Sequence, residues 1–265
     1  MKRLALSLAL TALLATGAQA AGTVTVDGRA VECAAQVHQN TTYVSLRAVT
    51  EALRPDAGVA WKGDHAAVNA WDLALTAQPG TPYIEANGRA LYVPQGVKLD
   101  AGRTLVPVRA LAKALGAEVD WDPATGTVAV TSGSGAIASG EGYYAGDALY
   151  WMARIISAES QGESLAGKIA VGNVVLNRVD SAEFPSTIYG VIFDDRWGGQ
   201  FEPVRNGAIY WEPTEESVLA AKLVLDGADV AGDSLYFLAP TLTDNHWIME
   251  NRPYVMTIGT HWFYE

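Results

Sequence analysis

Glu159 opens the segment Glu159-Ser160-Gln161-Gly162-Glu163, which places a carboxylic acid at the end of a helix-like stretch, just ahead of a polar, glycine-containing break. A carboxyl group works as a general acid only where an apolar wall lifts its pKa toward the working pH, and Tyr150-Trp151-Met152-Ala153-Arg154-Ile155-Ile156 leads in as such a wall. On the residues alone two readings stand: a proton donor beside a groove, or a solvated helix-end glutamate, the common fate of that residue type. Glu163 would share a helix face with Glu159 if the helix ran on, but Gly162 interrupts it. A carboxylate at the start of the next helix is held ionised by the helix dipole, so Glu163 is read as a capping support. Metal chemistry lacks its ligands, because no pair among His38, His65, His246 and His261 has ligand spacing, and no cofactor is implied. Gly232-Asp233-Ser234-Leu235 spells an esterase nucleophile block, yet it lacks the strand before it and the late Asp-x-x-His that a nucleophilic serine needs.

The elements that must carry Glu159 are readable from periodicity. Residues 147–158 have helical spacing, with Asp147 as N-cap and Leu149, Met152, Ile155 and Ile156 on one stripe. A second helix is expected from about Leu165 to Val179, capped by Glu163 or Ser164, and a third from Thr214 to Asp226, stopping at Gly227. Ser234–Leu238 and Val255–Phe263 alternate as extended segments, so this half is mainly helical with a small β element. Asn173 and Asn177 share a helix face, where they either reach a ligand or satisfy backbone groups.

Ahead of this half lies an internal repeat: Thr42-Tyr43-Val44-Ser45-Leu46-Arg47-Ala48 is echoed by Thr104-Leu105-Val106-Pro107-Val108-Arg109-Ala110. Asp27-Gly28-Arg29-Ala30 matches Asn87-Gly88-Arg89-Ala90, each with the chemistry of a tight hairpin turn, and Trp61 matches Trp121. Each copy is expected to run hairpin, short strand, helix, strand. Arg47 and Arg109 are read as anchors of their own repeats, through carbonyls or a carboxylate. Residues 132–142, rich in Gly and Ser and without periodicity, are expected to form a flexible linker.

The segment around Glu159, with Leu165 through Arg178, resembles the catalytic segment of the SleB-type cell-wall hydrolases, the spore cortex-lytic transglycosylase family. Gly199-Gln200-Phe201-Glu202-Pro203-Val204, Leu235-Tyr236-Phe237-Leu238-Ala239-Pro240, Trp247-Ile248 with Arg252-Pro253, and Ile258-Gly259-Thr260-His261-Trp262-Phe263-Tyr264 continue the likeness over roughly 143–265. Ala239 stands where the family pattern has Asn. The repeat over 22–131 resembles the copper amine oxidase N-terminal-like domain, without implying copper. The fold class expected is therefore α+β: a duplicated β/α module, then a lysozyme-like helical domain.

The resemblance implies that Glu159 is the catalytic acid of a peptidoglycan lytic transglycosylase, with Ser160, Gln200, Phe201, Tyr236 and Trp247 against the glycan. Glu163, Asn173, Arg252 and His261 are in support, His261 as a packed hydrogen-bonding residue. The alternatives are a muramidase that uses water and a second carboxylate, drawn from Asp194, Asp195 or Glu202, and an inert wall-binding protein.

Composition narrows the partners. Lys2 and Arg3 ahead of the apolar run Leu4–Leu14, with Ala18-Gln19-Ala20 as a cleavage pattern, read as a secretory signal over 1–20, hence an exported, envelope-associated chain. No later segment is long enough to span a membrane. Subtracting those two cations moves the formal charge from -11 to about -13, which disfavours nucleic acid. Cys33 stands alone, so no intramolecular disulfide holds the fold, and the sequence fixes no oligomeric state.

Overall fold

The computed structural model describes residues 19–20, 22–33, 35–144, 146–243 and 246–265. Apart from its last two residues, the leader expected over 1–20 lies outside them. Among the described residues no helix is long and apolar enough to cross a membrane.

The two Asx-Gly turns form as their chemistry requires. Asp27 and Gly28 have φ of 48° and 75°, and Asn87 and Gly88 have 51° and 77°, the paired left-handed conformations of a two-residue hairpin loop. They join Val24–Val26 to Arg29–Val31 and Tyr83–Ala86 to Arg89–Tyr92. Each copy then differs from the expected order, because its short strand is half of a second hairpin. Ala35–His38 turns through Gln39-Asn40 into Thr41–Ser45, and Lys98–Asp100 turns through Ala101-Gly102 into Arg103–Pro107. All four turn residues have positive φ, but Gln and Ala give no signal for that conformation.

Helix α1 (Leu46–Leu53) and helix α2 (Val108–Leu115) follow; Ser45 caps the first by accepting from the Ala48 N–H, and Gly116 ends the second at φ 66°. Each helix is followed by another hairpin, Gly58–Lys62 with His65–Ala70 and Glu118–Asp122 with Thr127–Thr131. The copies interlock. Thr41–Ser45 pairs antiparallel with its own counterpart Arg103–Pro107, Val44 opposite Val106, with Ser45 opposite Leu105 and Tyr43 opposite Pro107. That register is a local two-fold axis through Val44 and Val106. Thr127–Thr131 of the second copy lies parallel to Val24–Val26 of the first, so neither copy closes its sheets alone.

The segment 132–142 is not a flexible linker. Ser132 donates twice to the Asp27 carboxylate, at 2.8 and 2.6 Å, the Ile137 N–H reaches the Ala114 carbonyl at 3.1 Å, and the Gly140 N–H reaches the Asn87 carbonyl at 2.8 Å. Its glycines serve close approach: a Cβ on Gly133 would fall 1.9 Å from the Gly116 carbonyl oxygen. Composition reports that glycine is present but not which of its two uses applies.

The C-terminal half contains α3 (Gly140–Tyr143), α4 (Asp147–Ser160), α5 (Leu165–Asp180), α6 (Ile188–Ile192), α7 (Glu202–Asn206), α8 (Glu215–Leu225) and α9 (Trp247–Asn251). A three-stranded sheet has the order Tyr236–Leu238, His261–Tyr264, Tyr254–Ile258. The single extended segment expected over 255–263 is thus a hairpin folded at Gly259, φ 58°. Helix α5 is buried on nearly every side, between α4, α8 and the sheet. Gly172 allows the closest approach, since a Cβ there would sit 2.8 Å from Val224 and 2.9 Å from Ile156.

The halves are joined at Asp226, the C-cap of α8, whose carboxylate is fully buried. It accepts from the Arg89 Nε at 3.1 Å, from the Arg89 guanidinium end and from the Tyr144 hydroxyl, and it forms an ion pair at 3.1 Å with Lys113 Nζ, which donates to the Asp226 backbone carbonyl at 2.7 Å. Arg89 lies flat on the Tyr143 ring, 3.3 Å from its centroid, and Ala90 enters the core of the C-terminal half.

Candidate active site

Glu159 occupies the last turn of α4, one turn past Ile155 and Ile156, which are wholly buried against α5 and α8. The break after it is pinned by a buried lysine on α5. Lys168 Nζ donates to the Gln161 carbonyl at 3.2 Å and to the Glu163 carbonyl, and pairs with Glu216 on α8 at 2.8 Å. Those carbonyls at the end of α4 therefore meet an ammonium rather than water, which fixes the exit of the helix that carries Glu159.

A cleft of about 1070 Å³ opens beside Glu159, walled by Arg178, Asp194, Gln200, Phe201, Glu202, Tyr236, Trp247, Arg252 and His261. The Glu159 side chain is partly buried in this wall and makes no hydrogen bond to the described residues. Burial lifts its carboxyl from the ordinary 4.5 to about 7; the Arg178 guanidinium opposes the lift and the Glu202 carboxylate adds to it. Such a group is about half protonated near neutral pH, as proton donation requires.

Arg178 is the residue that sequence reasoning missed. It lies at the end of the apolar stripe Val171, Val174, Val175 on α5 and is itself buried. A cation on a buried stripe was the available signal. Its Nε donates to the Leu235 carbonyl at 2.7 Å, and its guanidinium stands over Phe184, Phe201 and Tyr236, 4.8 to 5.4 Å from the ring centroids. Burial pulls its pKa down to about 10, while Tyr236, Asp194 and Glu159 pull the other way, so it remains a cation at neutral pH.

Asp194 is occupied. Its carboxylate takes the Arg196 Nε at 2.9 Å, the guanidinium end at 2.8 Å and the Arg196 backbone N–H at 3.1 Å. The Arg196 contacts hold it below the usual carboxylate range, as an anion. Glu202 pairs with Arg205 in α7 and is exposed. Asp195 is not among the residues that wall the cleft.

Gln200, Phe201, Tyr236, Trp247, Arg252 and His261 thus meet Glu159 in one cleft, and three other sites of the sequence reading do not. Ser160 is 2% exposed, and its hydroxyl donates back to the Ile156 carbonyl at 2.5 Å, as serines inside helices do. It makes no contact with the cleft. Asn173 is spent on backbone, donating to the Ala228 carbonyl at 2.6 Å and accepting from the Val230 N–H at 2.9 Å; Asn177 is spent likewise on Gly232 and Ser234. Glu163 is a support, but not a helix cap. Ser164 caps α5, and the Glu163 carboxylate instead takes the Thr260 hydroxyl and N–H, tying the hairpin turn at Gly259 to the α4–α5 break.

Phe201 is 3% exposed, so its ring is a floor packed under Phe237 and Arg178 rather than a platform for a sugar. Tyr236 accepts from Arg252 at 2.7 Å, with the guanidinium over its ring. Trp247 is half exposed at the rim. His261 packs edge-on against Phe237 and Phe263, but its Nδ1 has no hydrogen-bond partner and stands 3.7 Å from Glu163. Among the described residues Nδ1 thus makes no hydrogen bond of the kind expected of this side chain, and burial keeps the imidazole neutral by lowering its pKa. Ser234, the serine of the esterase-like block, is fully buried with its hydroxyl on the Ala231 carbonyl.

Glu159 thus stands at a helix end beside an open cleft, in the half of the chain that follows the β-rich module. Residues 162–264 match the cell wall hydrolase family, and residues 25–133 match the copper amine oxidase N-terminal domain. The chain therefore carries one domain of each family. The hydrolase match begins three residues after Glu159. A spore cortex-lytic enzyme of Bacillus cereus is 39% identical over 120 residues, which cover 45% of each chain. Another from Oceanobacillus iheyensis is 36% identical over 133 residues, 50% of this chain and 46% of that one. The chain thus spans about half the length of these relatives. The catalytic domain of the germination-specific lytic transglycosylase SleB of Bacillus anthracis aligns with 38% identity and a TM-score of 0.42, covering 46% of this chain and 97% of that one.

Proposed function

We propose that this protein cleaves the glycan strands of peptidoglycan as a lytic transglycosylase, with Glu159 as the single acid and base. The observation that carries the proposal is the Glu159 carboxyl at the wall of an open cleft, lifted to about 7 by burial and without a hydrogen bond to the described residues. In its protonated form it donates to the oxygen of the bond between N-acetylmuramic acid and N-acetylglucosamine, and that bond breaks with the electrons leaving on the oxygen. The Glu159 carboxylate left behind takes the proton of the muramyl C6 hydroxyl, whose oxygen closes on C1 to give a 1,6-anhydro end. The proton returns to Glu159 and no water is consumed. Arg178 stabilises the carboxylate between the two steps, and being buried it acts through little intervening solvent. Gln200, Tyr236 and Trp247 are the groups of the cleft disposed to hold acetamido, hydroxyl and pyranose faces.

One observation favours a second reading. Glu202 walls the same cleft and acts electrostatically on Glu159, so a hydrolytic muramidase would recruit it to activate water. The test is mass analysis of fragments released from purified peptidoglycan by the wild-type chain and by Glu159→Gln. Anhydro ends from the wild type and no release by the variant support the proposal. Reducing ends, heavier by one water, place the chain with the muramidases, and wild-type release by Glu159→Gln removes Glu159 from the mechanism. We also propose that the chain is exported and acts at the cell envelope.

A further inference from the structure

The local two-fold of the N-terminal module generates a pair of matching clefts outside the site already described. One, of about 670 Å³, is lined by Arg47 at the start of α1, Trp61 on the hairpin that follows, and Thr104 from the other copy. Its counterpart, of about 360 Å³, is lined by Arg109 at the start of α2, Trp121 on the equivalent hairpin, and Thr42 from the first copy. Each cleft is therefore assembled from both copies, and the duplication has kept an aromatic ring, a guanidinium and a hydroxyl in both.

These groups do no structural work that accounts for them. Trp61 and Trp121 are 49% and 46% exposed, a large uncovered area for residues whose size normally buries them. The Trp61 indole N–H donates to the Gly63 carbonyl at 2.7 Å, which fixes the ring while leaving it accessible. Among the described residues Arg47 pairs with exposed Glu51 and Arg109 makes no side-chain hydrogen bond or ion pair, so neither ties its repeat to a second element as the sequence suggested.

We infer that the two clefts are carbohydrate subsites that hold a peptidoglycan strand through its sugar faces and its stem-peptide carboxylates. Trp61 and Trp121 stack on pyranose rings, while Arg47 and Arg109 take carboxylates. A repeating polymer suits a duplicated site, and local cations on an otherwise acidic chain, formal charge -11, suit a ligand with scattered carboxylates. The contacts at Asp226 join this module directly to the half that carries Glu159. The inference rests on the proposed glycan-cleaving activity for its choice of ligand.

The test is sedimentation of the full chain with purified sacculi in the cold, in a Glu159→Gln background. Adding Trp61→Ala or Trp121→Ala should each weaken binding about ten-fold, and the pair about a hundred-fold or more, because linked sites reinforce one another. With Glu159 intact, the pair should cleave short soluble glycan fragments at the wild-type rate. Arg109→Glu, at an exposed and unpaired position, disturbs no packing; it should weaken binding several-fold, and it decides the matter should the Trp variants not fold. Binding equal to that of the parent in the paired Trp variant, or in Arg109→Glu, overturns the inference. Failure of the catalytic reading registers separately, as lysis that survives Glu159→Gln.

Discussion

Replacing Glu159 by Gln should stabilise the fold while removing its activity, and the pH dependence of that gain follows from the site. The folded chain binds the Glu159 proton more tightly than the unfolded chain does, with a pKa of about 7 against 4.5. At about 1.4 kcal/mol for each tenfold difference, the ionised form costs the fold about 3 kcal/mol. The sign follows from linkage. This increment of stability is fully present below about 4.5 and is lost as pH rises through about 7. Glutamine never ionises and never incurs the loss. Urea unfolding followed by tryptophan fluorescence should therefore place Glu159→Gln above the wild type by about 3 kcal/mol at pH 8, and by under about 1 kcal/mol at pH 5. A stability difference that stays constant across this range would refute the claim that burial perturbs this carboxyl, and with it the basis for a general acid at this position.

Three further outcomes follow from named contacts. Glu202→Gln removes a like charge that raises the Glu159 pKa, so the alkaline limb of the lysis profile should move down by up to about one pH unit with the plateau intact; loss of activity at every pH would instead make Glu202 a second catalytic carboxylate. Gly172→Ala brings a methyl within 2.8 Å of Val224 and 2.9 Å of Ile156, and should lower the unfolding free energy by about 1–3 kcal/mol, outweighing the roughly 1 kcal/mol helix preference of alanine. A melting temperature at or above that of the wild type would show that the helices part easily at this crossing. Asp226→Asn leaves the Arg89 guanidinium buried without its counter-charge, at a cost of about 3–5 kcal/mol, and should expose the strap at 132–142 to limited proteolysis; unchanged cleavage would mean that the halves are held by their apolar contacts alone.

Features encoded within a few residues were legible in the sequence. The Asx-Gly hairpins and the helices around Glu159 follow from turn chemistry and periodicity, both of which are local, whereas the choice between Glu163 and Ser164 as the cap of α5 did not. Glu159 itself was legible as a candidate because its apolar lead-in and its break are adjacent to it in the chain. What stayed hidden depends on a neighbour far away in sequence. Ser160 has the composition of a contact residue, yet its hydroxyl is taken by the carbonyl one turn earlier. Asn173 meets Ala228 and Val230, and Glu163 meets Thr260, across separations of 55 residues or more. Arg178 was hidden for the converse reason, since an arginine near a helix C-terminus is ordinarily an exposed partner of the dipole.

The duplicated turn shows how far a local motif can decide its own fate. Asp27-Gly28-Arg29 and Asn87-Gly88-Arg89 adopt the same backbone, and their strands pair in the same way. Arg29 is nonetheless exposed, whereas Arg89 is buried on the carboxylate of Asp226, 137 residues further along the chain. The two arginines differ only in what lies opposite, and the second copy has α8 there. Docking one copy against the C-terminal half breaks the symmetry of the module without dismantling it: Arg89 and Lys113 are consumed at the interface, while the helix starts and hairpins bearing Arg47, Trp61, Arg109 and Trp121 stay clear of it. A duplication kept only for stability would have no reason to retain both exposed rings. One whose first task is to hold a polymer, and whose second copy also serves as a docking face, would retain both.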